Sequence, residues 1–224
     1  MNLHSLLRKN LHAFKPIFSP ALTQANSVAM DLSAGNREFA GLGEAEFDQA
    51  IVRKLASANA IAGVGGYLEK RSLYQHTDLF QGDAERCIHI GVDVFMPAGT
   101  PLFAPLGGEL HSFANRQVQG DYGAVIILRH RLDGVEFHSL YGHLSESSLQ
   151  GLREGQSIRA GDPIAQIGAR PTNGNWPPHL HFQLIKDLQG SRDCDYLGVV
   201  RPDEVDFYRE NCPDPTCLLL TPED

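Results

Sequence analysis

The residues best placed to do chemistry in this sequence are histidines in three short clusters. The first is His89-Ile90-Gly91-Val92-Asp93. Imidazole and carboxylate are both good zinc ligands, at about 2.0–2.2 Å from the metal. In a straight strand, residues four apart are separated by about 13 Å, too far to share one ion. A helix would bring them together, but Val92, Val94, Phe95 and Pro97 argue against one. Gly91 offers the other route, a bend or bulge that lets the two side chains converge. Taken alone, the pair reads equally well as a buried histidine beside a surface aspartate.

The second cluster is His179-Leu180-His181, preceded by Trp176-Pro177-Pro178. In a strand, residues i and i+2 point to one face about 7 Å apart. That spacing suits one histidine on a metal and the other reaching a substrate. The third, Tyr141-Gly142-His143-Leu144-Ser145, places a histidine just past a predicted strand end, where it can face a groove. Of the remaining histidines, His4, His12 and His76 read as surface or boundary residues. His111, His130 and His138 sit in strand-like runs and read as structural.

Short strands must carry these side chains. After Gly63-Val64-Gly65-Gly66 the sequence turns to β-like runs at 88–95, 108–113, 124–130, 135–140, 163–167 and 180–185, with Asp133-Gly134 as a hairpin turn. Before them, Leu3, Leu6, Leu7, Leu11 and Phe14 fall at helical spacing up to Pro16. Phe47, Ala50, Ile51, Leu55 and Ala58 repeat that spacing behind Glu44, Glu46 and Asp48, acids that suit a helix N-terminus. These helices read as packing elements. The expected fold is mainly β: a helical N-terminal extension over 1–60, a compact antiparallel domain over 61–186 and a loose acidic C-terminal extension over 187–224.

Composition narrows the function classes. The 224 residues are 42% hydrophobic and 21% charged, which excludes a disordered chain, a collagen and a coiled coil. No apolar run approaches the roughly 20 residues of a membrane-spanning helix. The net charge is −8, and residues 187–224 hold 10 acids against 3 bases. No basic footprint for nucleic acid exists, and the tail reads as solvated surface. Cys87, Cys194, Cys212 and Cys217 form no CxxC pair and are expected as reduced thiols, though Cys212 and Cys217 could bridge in an exported chain. The opening MNLHSLLRKNLHAFKP puts its basic pair after its leucines and has no continuous apolar stretch. No secretory signal is read there, so the expected location is cytoplasmic.

Taken together, HxxxD, then Tyr-Gly-His-Leu-Ser, then HxH, in that order, resemble the lysostaphin-type (LytM-like) zinc metalloendopeptidases. Pro97-Ala98-Gly99-Thr100-Pro101, Ala104-Pro105 and the run from Glu154-Gly155-Gln156 to Ile167-Gly168 extend the likeness over roughly residues 85–185. The resemblance implies an antiparallel β-sandwich or barrel-sandwich hybrid. It implies one zinc ion per chain held by His89, Asp93 and His181, with His143 and His179 as unligated catalytic histidines. It also implies hydrolysis of peptide bonds in peptidoglycan, and hence the cell envelope as an alternative location. Three protein ligands leave one position open, the layout of a catalytic site. No HExxH glutamate is present, so the base would be neutral His143 or His179, with the other steadying the oxyanion.

Two departures stand out. The approach to HxH is the longer Thr172-Asn173-Gly174-Asn175-Trp176-Pro177-Pro178, and Phe182 is followed by Gln183 where the family usually has Glu. With the ending CPDPTCLLL, these features resemble a subgroup that also occurs beside kinase-like and aminotransferase-like domains in larger proteins. The rival from another class is a histidine phosphocarrier, since residues 87–93 also resemble the glucose-type enzyme IIA segment and His89 would then carry a phosphoryl group. The HxH has no use in that reading. EGQSIRAGDPIAQIG resembles a lipoyl- or biotinyl-type carrier but offers no suitably placed lysine. A non-catalytic LytM-like module would have lost ligands, and none is lost. The remaining enzymatic alternative is a cytoplasmic amidase on a small non-peptidoglycan substrate.

Overall fold

The computed structural model describes residues 2–39, 41–72 and 86–221, so His76 lies outside the described residues. Its strands are β1 (Ser27–Met30), β2 (Ala62–Gly65), β3 (Glu69–Lys70), β4 (Ile88–His89), β5 (Val92–Phe95), β6 (Pro101–Phe103), β7 (Gly108–Arg116), β8 (Gly123–Leu132), β9 (Val135–Leu144), β10 (Ser157–Ile158), β11 (Pro163–Gln166), β12 (His179–Ile185) and β13 (Val199–Val200). The helices are α1 (Leu3–Lys9), α2 (Glu44–Ser57), α3 (Val205–Asn211) and α4 (Thr216–Leu219).

Eight strands form one sheet in the order β1-β2-β5-β12-β9-β8-β7-β10. Period-two alternation explains why its centre reads as continuous apolar runs. Ala124, Ile126 and Leu128 of β8 enter one core with Val92, Val94, Leu180 and Phe182. Val125 and Ile127 enter a second core on the other face, with Ile90, Leu140 and Ile185. A strand buried on both faces has no polar side to show. Asp133 and Gly134 join β8 to β9 with both φ angles positive (49° and 79°), as a tight hairpin turn requires. The fold is mainly β and antiparallel, as expected; among the described strands the large sheet is open, with no closed barrel.

Both chain ends differ from the expected division. Residues 1–60 are not only helical: β1 joins the large sheet, parallel to β2, and α2 supplies the crossover such a pair needs. Nor is the region after 187 loose. Strand β13 pairs with β4, and Cys194, Tyr196, Val200 and Cys212 fill the second core. Leu218 and Leu219 enter the first core with Leu3, Leu6 and Leu7. The acids of that region, such as Asp203, Asp206 and Glu210, lie exposed, so its charge concealed the apolar residues that dock it. None of the four cysteines is bridged. No helix among the described residues is long and apolar enough to cross a membrane.

Candidate metal and catalytic site

His89 and Asp93 meet because the chain changes sheets between them. His89 ends β4, in a three-stranded sheet between β3 and β13, whereas Asp93 belongs to β5 of the large sheet. The bend at Gly91 brings His89 Nε2 within 3.2 Å of Asp93 Oδ1. His181 stands opposite Asp93 in the β5–β12 register, with Nδ1 3.2 Å from the same oxygen. Glycine at 91 is a packing requirement, since a Cβ there would lie 2.6 Å from His181 Cε1 and 2.9 Å from the Phe182 carbonyl.

The residues present fit a tetrahedral ion. His89 Nε2, Asp93 Oδ1 and His181 Nδ1 form a triangle with edges of 2.8, 3.2 and 3.2 Å. A face of a tetrahedron with ligand bonds of about 2.0–2.1 Å has edges of about 3.3 Å. Further bonds aim these atoms. His181 Nε2–H donates to Gln183 Oε1 (3.0 Å), leaving the Nδ1 lone pair inward. The Gln183 amide is oriented in turn by donating to the Leu197 carbonyl (3.1 Å). Arg71 donates from Nη1 to Asp93 Oδ2, and its Nε holds Glu69 at 2.7 Å. Burial alone would raise the Asp93 pKa, but His89 and Arg71 beside it hold the carboxyl well below its usual range. Burial, aided by Arg71, lowers His89 to about 3. An ionised carboxylate beside a neutral imidazole is the state that binds a cation.

His143 and His179 complete the cluster. By strict alternation His143 would follow Tyr141 and then point away from Gly142, into the first core. A bulge prevents this: Gly142 and His143 together face Val125, and His143 takes φ +61°. His143 therefore lies inside β9, not past its end as the sequence spacing predicts. Its Nδ1–H donates to the Asn173 carbonyl (2.9 Å), and His179 Nδ1–H donates to the Pro177 carbonyl (2.7 Å). Each ring thus carries its lone pair on Nε2. The two rings are 4.2 Å apart, and His179 Nε2 is 3.7 Å from Asp93 Oδ1. Burial lowers both pKa values, so both rings are neutral at pH 7.

All five residues singled out from sequence therefore line one groove, together with several that were not. Arg71 and Gln183 fix ligands; Tyr122 packs 5.3 Å from His181 and 5.9 Å from His143. Trp176 and Pro177 of the long approach line the groove, as do Phe47 of α2 and Tyr196, Leu197 and Gly198 of the C-terminal region. Of these, the Trp176-Pro177 approach stood out in the sequence as a departure before HxH, and Gln183 as the residue two beyond a candidate ligand on the same strand face.

The donor set is one that could hold a metal ion: three convergent side chains, with two further imidazoles alongside whose Nε2 lone pairs are uncommitted. Residues 87–193 match the family model described as Peptidase family M23. Over 96 residues the chain is 36% identical to an "Uncharacterized metalloprotease" of Haemophilus influenzae, covering 43% of this chain and 18% of that one. Over 97 residues it is 37% identical to the "DD-carboxypeptidase/endopeptidase Mpg" of Neisseria meningitidis serogroup B, covering 43% and 20%. The chain thus spans about a fifth of the length of these curated relatives. Other relatives are named as lipoproteins of Escherichia coli and Pseudomonas aeruginosa. Among solved structures, the catalytic domain of lysostaphin from Staphylococcus simulans aligns at 26% identity and TM-score 0.39, covering 58% of this chain and 86% of that one.

Proposed function

We propose that this chain is a zinc-dependent endopeptidase acting on amide bonds in the short peptides of bacterial peptidoglycan. His89, Asp93 and His181 would hold one zinc ion, and His143 and His179 would act unligated. The observation that supports this best is the triangle of ligand atoms, 2.8–3.2 Å on each side, beside two rings whose lone pairs are fixed on Nε2. A relative from Vibrio cholerae named "Peptidoglycan DD-endopeptidase ShyA", 31% identical over 97 residues, supports the substrate class.

Zinc at such a site supplies Lewis-acid polarisation of the scissile carbonyl and a more acidic attacking water. The chain's own part is proton transfer. A neutral ring takes the water's proton at Nε2 and returns it to the leaving amine. The other ring, neutral and with its Nδ1–H held by a loop carbonyl, offers its Nε2 lone pair as an acceptor that orients the attacking water or the leaving amine. Depressed pKa values keep both rings ready to accept. The phosphocarrier reading fits poorly, because a phosphoryl group on His89 would be buried against the Asp93 carboxylate.

The test is digestion of purified peptidoglycan, and of free wall peptides, with zinc-loaded protein, read by mass spectrometry alongside elemental analysis. One zinc per chain and new peptide ends are expected. Cleavage of intact wall points to assembled peptidoglycan as the substrate, whereas cleavage of free peptides alone points to released wall peptides. Zinc binding without cleavage of either would leave the small-substrate amidase as the better reading.

A further inference from the structure

Both unligated histidines take their tautomer from one stretch of chain. The carbonyl accepting from His143 belongs to Asn173, and the one accepting from His179 belongs to Pro177. A neutral imidazole whose proton is committed to Nδ1 presents its lone pair at Nε2. Whatever fixes residues 173–177 therefore fixes two candidate bases at once.

Within the stretch, Asn173 ties itself to Trp176, donating from Nδ2 to its carbonyl (2.9 Å) and accepting its N–H at Oδ1 (3.2 Å). The hold from outside comes from α2. Arg170 donates from Nε and Nη2 to the two carboxylate oxygens of Asp48 (3.2 and 3.1 Å), and from Nη1 to the Asn175 carbonyl. Asn175 Nδ2 donates to Glu44 Oε1 at 2.8 Å. Glu44 and Asp48 are four residues apart, hence neighbours on one helix face. A two-bond fork sets direction as well as distance. The apolar face of α2 reaches the same place by packing. Phe47, Ala50 and Ile51 share a core with Phe95, and Phe95 stacks on the His179 ring (centroids 5.1 Å apart). α2 lies outside residues 87–193 and reads from sequence as packing alone.

We propose that α2, through the Asp48–Arg170 fork, is a positioning element for His143 and His179. It holds the 170–177 loop so that both Nδ1 protons stay on the loop's carbonyls and both Nε2 lone pairs face the groove. The inference rests on the peptidase reading above.

Asp48→Asn and Arg170→Met remove the fork, and Asp48→Glu is the conservative variant. Lys54→Met is the control, since Lys54 pairs with Glu38 (2.6 Å) elsewhere on α2. With zinc-loaded protein and a cleavable peptide, Asp48→Asn and Arg170→Met should lose roughly 10–100-fold in kcat, the scale of a small misplacement of catalytic groups. KM, zinc content and melting temperature should stay near native values. The double variant should be no worse than Arg170→Met alone, Asp48→Glu should recover most of the rate, and Lys54→Met should lose nothing. Independently of activity, 15N-histidine NMR of metal-free protein above about pH 8, where histidines are neutral, should show Nδ1–H tautomers for both rings. In Asp48→Asn it should show mixtures. Native turnover and tautomers in Asp48→Asn, or a rate loss matched by lost zinc, lost fold or an equal loss in Lys54→Met, would overturn the proposal. A native chain that cleaves no peptide would instead defeat the peptidase reading, and the tautomer comparison would still decide the positioning role.

Discussion

Strand β9 carries a histidine near each end, and the two ends behave differently. At one end, His143 joins His89, His179 and His181 around Asp93. At the other, His138 packs beside His111, and His130 lies close by on β8. Burial does not separate the groups, for His89 and His130 are each 2% exposed. Nor does a depressed pKa, since burial lowers His130 to about 4 and His89 to about 3. What differs is where the nitrogens point. Both ring nitrogens of His130 are occupied, by the Gly107 carbonyl (3.1 Å) and the Ser139 hydroxyl (2.7 Å). At the other end three ligand atoms converge on one volume with a carboxylate among them. His89, Asp93 and His181 are the one such set among the described residues. A buried histidine becomes a candidate for chemistry when its lone pair is aimed at other lone pairs.

The largest expected effect breaks the comparison outright. His89→Ala or His181→Ala should abolish zinc binding and activity, while His130→Ala should retain both; elemental analysis with a peptide assay decides. Next, His143→Ala and His179→Ala should each lose about 10²–10⁴-fold in turnover yet keep one zinc per chain. Metal loss in His143→Ala would show that the ligand set is misassigned. A smaller effect concerns aim. Gln183→Leu leaves His181 Nε2–H without its partner, and chelator competition should read about 10–100-fold weaker zinc affinity, the usual cost of losing such support.

The smallest effect belongs to the other end. The lowered pKa of His130 means the unfolded chain binds more protons between pH 6.5 and about 4. Stability should therefore be complete above pH 6.5 and fall as pH drops through that window, by about 3 kcal/mol from this residue. His130→Gln should flatten that slope in denaturant titrations without changing peptide turnover at pH 7.

The sequence alone made the β scaffold and the five converging residues legible for physical reasons that also mark its limits. The continuous apolar run Ala124–Leu128 and the spacing of Phe47, Ala50 and Ile51 are local patterns, and local patterns survive without coordinates. His143 was harder. Its face depends on a bulge opposite Val125, which no single-strand pattern encodes. Arg71 lies 22 residues before Asp93, and nothing local ties a lysine-and-arginine pair at 70–71 to a buried carboxylate. The C-terminal region misled in a different way. Its surplus of acids sits outward, masking the few apolar residues, such as Tyr196 and Val200, that seat it.

Strand β4 gives the pairing of His89 a consequence for modularity. That two-residue strand lies between Glu69–Lys70 and Val199–Val200, and both neighbours fall outside residues 87–193. Grafting only the matched stretch into another scaffold would carry His89 along while leaving behind both backbones that hold it, as well as Arg71. The transplantable unit is defined by hydrogen-bond ladders rather than by sequence similarity, and here it begins before residue 69 and ends after residue 200.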